Sequence, residues 1–480
     1  MAVRISSGSS SGGTYPPAGG VAESELAASL QTKVNDNVAK STVTTKGDLV
    51  AGTGNATVAR LPVGADSTYK LVPDSTASTG MVWVKGGNGK DYIDVSAAPY
   101  SAALNGTTND AVVIQNAINA AQGTNGRVLI PGLAAINTTL QMKSEMTLES
   151  LHFTRWPYNT YTQKSGLKYL GTFTGDCMIE FQAGVQWSNL HNIDINVNSQ
   201  PATGTQCGGV YFTGLARSIE LNKVGIYQPS GHGFQSRVGT VSDYARGLTL
   251  TTCRVWSAGN SSGANADGTQ WAFTFNAFTD SSLIDCEGKD SRNGGFRISG
   301  AGDTELISCR APYNRGGPGF YITGGDSTFA SGNGGLRLTS CSSDRSYGEG
   351  LLIDAVGRQV IAVDNCMFRR DGSHGEAAPL TAAGINISGA SSSAKAAPVL
   401  MSNTFTMVED DDDNNGIWAP DVGMYLQHLS QMSMTNCHIW GRTTAITQGT
   451  GSTGGLLKQS NNWFYTGLPT AKTVVTPTIT

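Results

Sequence analysis

Apolar and polar residues alternate with period two in short stretches along most of this chain, and each stretch breaks at a fixed point. In Leu336-Arg337-Leu338-Thr339-Ser340-Cys341-Ser342-Ser343 the two leucines share one side of a strand, and Arg337 and Thr339 share the other. Ser340 interrupts the alternation. Cys341 and Ser343 then return to the inner side, leaving positions 342 and 344 outside. The same frame is an apolar residue three before a slot and a small or polar residue one before it. It recurs with Cys in the slot at Leu250/Thr252/Cys253, Leu283/Asp285/Cys286, Leu306/Ser308/Cys309, Val363/Asn365/Cys366 and Met434/Asn436/Cys437. With other residues in the slot it covers Leu148/Ser150/Leu151, Leu190/Asn192/Ile193, Leu221/Lys223/Val224 and Met401/Asn403/Thr404.

These ten copies follow one another at spacings of 42, 31, 29, 33, 23, 32, 25, 38 and 33 residues. A constant motif at variable spacing is one structural unit repeated with loops of different length. A second motif, Gly before an apolar strand, accompanies it at Gly209-Val210, Gly233-Phe234, Gly295-Phe296, Gly319-Phe320, Gly350-Leu351, Gly384-Ile385 and Gly416-Ile417. Each turn of chain therefore carries two or three short strands joined by bends. Asn, Ser, Thr and Asp suit the bends because they bond local backbone and tolerate the left-handed region. The pattern predicts an all-β chain built on a right-handed parallel β-helix of about ten to eleven coils over residues 125–466, with equivalent residues stacked about 4.8 Å apart. Leucine-rich repeats have stricter periods, and helical repeats need a 3.6-residue period.

Composition agrees: Gly is 61 of 480 residues and charged residues are 14 %, which suits many short strands and tight turns. The net charge of −4 comes with no basic stretch, so no nucleic-acid partner is expected. Residues 1–20 are Ser/Gly/Pro-rich without an apolar signal core, and no apolar run has transmembrane length. Synthesis in a cytoplasm, without membrane insertion, is the expectation. The eight cysteines could form four disulfides, but six share one slot of the repeat and read better as a buried ladder of reduced thiols.

Ahead of the repeats, Leu26, Leu30, Val34 and Val38 mark a short amphipathic helix over residues 22–38, within an N-terminal segment 1–41. Self-association into a trimeric bundle is favoured over docking on another protein. Residues 42–90, with TKGDLV, RLPVG and TGMVW in order, resemble a small module of phage tail fibres and minor tail proteins. Residues 91–124 resemble the entry strand and capping helix of pectate-lyase-superfamily β-helices. Asp91-Tyr92-Ile93-Asp94-Val95 leads into a helix from Thr108 to Ala121, and Arg127-Val128-Leu129-Ile130-Pro131-Gly132 follows as a strand. Ala111, Ile114, Ile118 and Ala121 form its apolar face, Thr108 or Asn109 can cap it, and Asp110 complements its dipole. Ala97-Ala98-Pro99-Tyr100 replaces the acidic turn usual in that superfamily. A tail, 467–480, closes the chain.

This order of parts resembles a bacteriophage tail spike or receptor-binding minor tail protein. The resemblance implies a homotrimer in the virion tail. Residues 1–41 would meet other tail or baseplate proteins, and the β-helix would recognise host surface polysaccharide. It also admits two alternatives, an active depolymerase (glycoside hydrolase or lyase) and a non-catalytic structural tail component.

The segment just after the Cys slot holds the candidate chemistry. Lys289, Asp290 and Arg292 are followed on later coils by Tyr313 and Arg315, by Asp344, Arg345 and Tyr347, by Arg369, Arg370 and Asp371, and by Glu409 and Asp410. Asp290, Asp344 and Asp371 are the candidate catalytic carboxylates, since hydrolysis needs two at about 5 Å or about 6.5–9.5 Å. Lys289, Arg292, Tyr313, Arg315, Arg345, Tyr347, Arg369, Arg370 and Glu409 are the candidate glycan-binding residues. The residues alone favour the plainer reading of a solvated face or an intersubunit salt-bridge ladder. His232 lies in a Gly-His-Gly at the repeat's Gly-apolar position, which favours a structural role. No cofactor and no metal is expected. The acidic run Glu409 to Asp413 can present oxygens to Ca²⁺, but it lacks EF-hand spacing and a solvated loop is favoured.

Overall fold

A computed structural model of the chain describes residues 92–476 except 125, 155–161, 198–205, 238–244, 260–268, 301, 325–334, 355–359, 373–382, 411–416, 419, 450–455 and 468–471. Before residue 92 it describes the backbone of four strands. The chain divides into two compact units, 1–91 and 92–480. In the first unit, Leu49–Gly52 pairs antiparallel with Val58–Leu61, and Tyr69–Pro73 pairs antiparallel with Met81–Lys85. The helix expected over residues 22–38 lies outside the described residues.

The second unit is a parallel β-helix, its strands stacked in three ladders. The first ladder carries the apolar position of the repeat. Its register aligns Leu148, Leu190, Leu221, Leu250, Leu283 and Leu306, and then Leu338, Val363, Met401 and Met434. All ten side chains are buried, in the order the repeat anticipates. Fully burying such a side chain contributes roughly 1.5–3 kcal/mol, so the column is a large part of what holds the coils together.

The bend after nine of the ten rungs is left-handed. Asn192, Lys223, Thr252, Asp285, Ser308, Ser340, Asn365, Asn403 and Asn436 have φ between +46° and +56°. That turn aims the next residue inward, and Cys253, Cys286, Cys309, Cys341, Cys366 and Cys437 are buried there as free thiols. Each thiol from Cys253 to Cys366 donates to the carbonyl of the Leu rung one coil earlier, over 3.3–3.6 Å. Burial pushes the Cys253 and Cys309 thiols well above their ordinary range. The first copy departs from the pattern: Leu151 occupies its slot but is 55 % exposed.

The second ladder runs through Arg254–Trp256, Glu287–Lys289, Arg310–Pro312, Ser342–Asp344, Met367–Arg369, Phe405–Met407, His438–Gly441 and Trp463–Thr466. The third carries the Gly-apolar motif, aligning Val210, Phe234, Phe273, Phe296, Phe320, Leu351, Ile385 and Met424. Rings of Phe234, Phe273, Phe296 and Phe320 stack at 4.9, 4.6 and 5.0 Å. Gly precedes all of these rungs except Phe273, which follows Ala272, because the second ladder comes close. A Cβ on Gly319 would lie 2.5 Å from the Ser343 Cβ.

One expected rung is corrected. Ile417 is not on the third ladder; it pairs antiparallel with Asp410, and Met424 takes the position beside Ile385. The Gly-apolar pair there is Gly423-Met424, which the Gly416-Ile417 match hid.

The helix Ala111–Ala121 buries Ala111, Ile114, Ala117, Ile118 and Ala121 against the first coils. Asp110 is its N-cap residue without a side-chain cap bond. Its carboxylate accepts instead from the N–H groups of Ala103 and Leu104, at 2.8 and 3.0 Å. The Asp110 carboxylate therefore orders the entry loop rather than capping the helix. Among the described residues no helix is long and apolar enough to cross a membrane.

Candidate functional site

The repeat register that sends the Cys slot inward sends the next residue and the third residue outward. On the second ladder this makes two outward columns. The first runs Arg254, Glu287, Arg310, Ser342, Met367, Phe405, His438, Trp463. The other includes Trp256, Lys289, Pro312, Asp344 and Arg369. Between the columns lies a cleft of about 460 Å³ lined by Arg254, Glu287, Lys289, Arg310, Pro312, Tyr313, Ser342, Ser343, Asp344 and Arg369.

The cleft is organised by guanidinium–carboxylate pairs. Glu287 Oε2 is 3.1 Å from Arg254 and 2.9 Å from Arg310. Arg254 also reaches Asp285 at 3.3 Å, with its side chain only 2 % exposed. Asp344 accepts from Arg369 at 2.9 Å and from Arg370 at 2.8 and 2.7 Å. The Tyr313 ring is approached by Lys289 Nζ at 5.3 Å and by the Arg345 guanidinium at 5.2 Å, and Arg345 also donates to its hydroxyl at 2.5 Å. Charge-assisted and cation–π contacts of this kind hold side chains in one geometry.

A second left-handed bend, five residues after the first, carries Ser257, Asp290, Tyr313, Arg345 and Arg370 with φ of +57° to +60°. For a bulky residue this conformation costs about 1–2 kcal/mol. Gly or Asn would be cheaper, yet four of these five positions hold charged or aromatic side chains that take part in the polar contacts here.

The expected stripe is thus divided. Lys289, Tyr313, Asp344 and Arg369 line the cleft. Arg345 and Arg370 are buried against it, at 5 % and 4 % exposure. Asp290 sits beside it in an ion pair with Arg315, at 2.5 and 2.8 Å, and accepts from Ser257 at 2.6 Å. Arg292 is exposed and Tyr347 half-buried on the following loops, their backbone N–H groups bonded to Ala258 and Asn314. The Glu409 backbone pairs with Trp418; its side chain, and residues Asp411–Asp413 of the acidic run, lie outside the described residues.

Asp371, expected on the outward face, is fully buried. It accepts from Ser346 N at 2.9 Å and from the Ser343 hydroxyl behind the cleft floor. The reason is the second bend, which turns the residue after it inward. Ser291, Asn314 and Ser346 occupy the same position on neighbouring coils and are equally buried. Burial pushes the Asp371 carboxyl up to about 8, with the Asp344 charge adding to it and the Ser343 and Ser346 hydrogen bonds opposing.

Arg254, Glu287, Arg310, Ser342, Pro312 and Ser343 complete the cleft and were not among the expected residues. The first four share one signal, standing one place after the Cys slot on successive coils. His232 accepts at Nδ1 from the Trp271 backbone, at 3.0 Å, and so ties one third-ladder rung to the next.

No protein-family model matches the chain, and no curated protein sequence matches it. Solved structures do. The tailspike of Escherichia coli bacteriophage HK620, in its pentasaccharide complex, aligns at a TM-score of 0.59 with 14 % identity, over 84 % of this chain and 71 % of that one. The fold is that of a phage tailspike β-helix. An Acinetobacter phage tailspike aligns at a TM-score of 0.48 with 14 % identity, over 83 % of this chain and 66 % of that one. The mannuronan C-5 epimerase A-module of Azotobacter vinelandii aligns at 0.44 with 12 % identity, over 78 % and 96 %.

Proposed function

We propose that this chain is a phage tailspike whose β-helix recognises host surface polysaccharide in the cleft centred on Tyr313. The observation that carries this reading is the cleft itself. Rigidly held donors, two carboxylates and an aromatic ring converge on one concave patch, the ring presented from a strained bend at Tyr313. The HK620 tailspike, similar in fold, is a protein captured with a bound pentasaccharide.

Recognition is favoured over hydrolysis. The cleft carboxylates Glu287 and Asp344 are each engaged by two guanidinium groups, and the carboxyl raised toward neutrality, Asp371, is buried. An acid catalyst needs a raised carboxyl that reaches the substrate.

The protein is a homotrimer of the virion tail, joined to other tail or baseplate proteins through residues 1–41. Exposed Met367 and Trp463, at 40 % and 43 %, supply apolar contact between copies. Purified protein should be retained on polysaccharide from a susceptible host, and Tyr313→Ala with Arg369→Gln should abolish retention. Wild-type retention by that double variant would remove the cleft from recognition. Release of reducing ends or unsaturated uronate would convert the reading to a depolymerase. Light scattering that gives a monomer at micromolar concentration would remove the trimer.

A further inference from the structure

Four cations line the cleft, Arg254, Lys289, Arg310 and Arg369, against two carboxylates, Glu287 and Asp344, a local balance of +2. The whole chain carries −4. Positive charge is therefore concentrated here against the sign of the protein, and a concave wall focuses such a field. Beside the cleft the buried Arg345 and Arg370 are offset by Asp285 and Asp290, which leaves the local balance positive.

Hydrogen-bond chemistry points the same way. Arg and Lys only donate, and most of the carboxylate oxygens that could accept from sugar hydroxyls are already bridged, Glu287 Oε2 by Arg254 and Arg310, and both oxygens of Asp344 by Arg369 and Arg370. A neutral sugar brings as many donors as acceptors and would leave this wall's donors in excess. An acceptor-only group suits it better.

Resting on the glycan-recognition reading, we infer that the cleft's ligand is an anionic saccharide, with its acidic group at Arg310, Lys289 and Arg369. Arg310 is the most open of the cleft's ion-paired guanidinium groups, its side chain 46 % exposed, and Arg254 continues to hold Glu287 if Arg310 turns to a ligand. The acidic group is a carboxylate or a phosphate substituent, both of which guanidinium binds through paired N–H donors.

The test is a microarray of bacterial capsular and lipopolysaccharide glycans, with neutral, uronic-acid, sialic-acid and phosphate-bearing members, probed with the full chain. Binding should fall on acid-bearing glycans. Arg310→Gln should weaken it by about tenfold or more. Lys458→Gln, which removes one exposed charge from the first ladder, should leave it unchanged. Carbodiimide–borohydride reduction of the bound glycan's carboxyls should abolish binding if the acid is a carboxylate, and survival of binding on a phosphate-bearing glycan identifies the phosphate. Binding to neutral glycans that Arg310→Gln leaves intact overturns the anionic ligand while glycan recognition stands. Binding to no member of the array overturns both.

Discussion

Along the outer face of the second ladder, the column from Arg254 to Ser342 carries charged and hydroxyl groups, whereas the same column from Met367 onward carries Met, Phe, His and Trp. In the charged half, side chains are crossed by ion pairs and surround a cleft. In the aromatic half they stack on one another, Phe405 on His438 at 5.0 Å and His438 on Trp463 at 4.6 Å. Stacked rings cover each other's faces and present edges outward, so they are poor platforms for sugar faces and better suited to contact with protein. The backbone register is the same in both halves. A β-helix fixes its interior by coil-to-coil packing and leaves its outward columns open to any chemistry, so its function is to be sought where the outside changes character.

The comparison breaks first if the interior is not uniform. Phe296→Ala, on the coil that carries Glu287, and Met434→Ala, on the coil that carries His438, should each destabilise by about 2–5 kcal/mol in denaturant unfolding. A cost confined to one half would mean that the two halves differ in core as well as surface.

Asp371 gives the next largest effect. Its folded carboxyl, near 8, binds a proton that the unfolded chain releases near 4. Stability from this group is full below about pH 4 and is lost as pH rises to about 8. Asp371→Asn should remove that slope and be the more stable protein at pH 9. Asn314, whose Oδ1 accepts from Ser291 N at 3.2 Å, already shows an amide in the same position. Unfolding curves at pH 5 and pH 9 that move in parallel for both proteins would sink this account.

Arg254→Met should cost about 2–3 kcal/mol, since it removes a buried guanidinium from Asp285 and Glu287 but leaves Arg310 on Glu287. A neutral result would show that the charged half is held by packing alone. The smallest effect belongs to the aromatic half. Partial burial, and then the Lys472 charge, lower the His438 pKa below its ordinary value. Its imidazole should titrate by NMR below the usual range, with a slight loss of stability as pH falls through it. Titration above the ordinary value would indicate an anionic neighbour in that half.

The fold was largely legible along the chain. The apolar position of each copy, from Leu148 to Met434, lies on one ladder, because burial and period-two alternation act within a few residues and leave a local signature. The cleft was half legible. Tyr313, Asp344, Lys289 and Arg369 stood out as polar residues at outward or bend positions. Arg254, Glu287 and Arg310 are on different coils, and only stacking makes them neighbours.

What the sequence by itself determined is the inside of this protein: which residues face in, where the chain bends, and that the thiols stay buried and reduced. Tertiary structure alone decided that Asp371 is enclosed, that Ile417 leaves the ladder, and that the outer column gathers charge at one end and stacked rings at the other. The reason is range. Inward facing is set by the spacing between adjacent residues, but the company a side chain keeps is set by coils 23 to 42 residues apart.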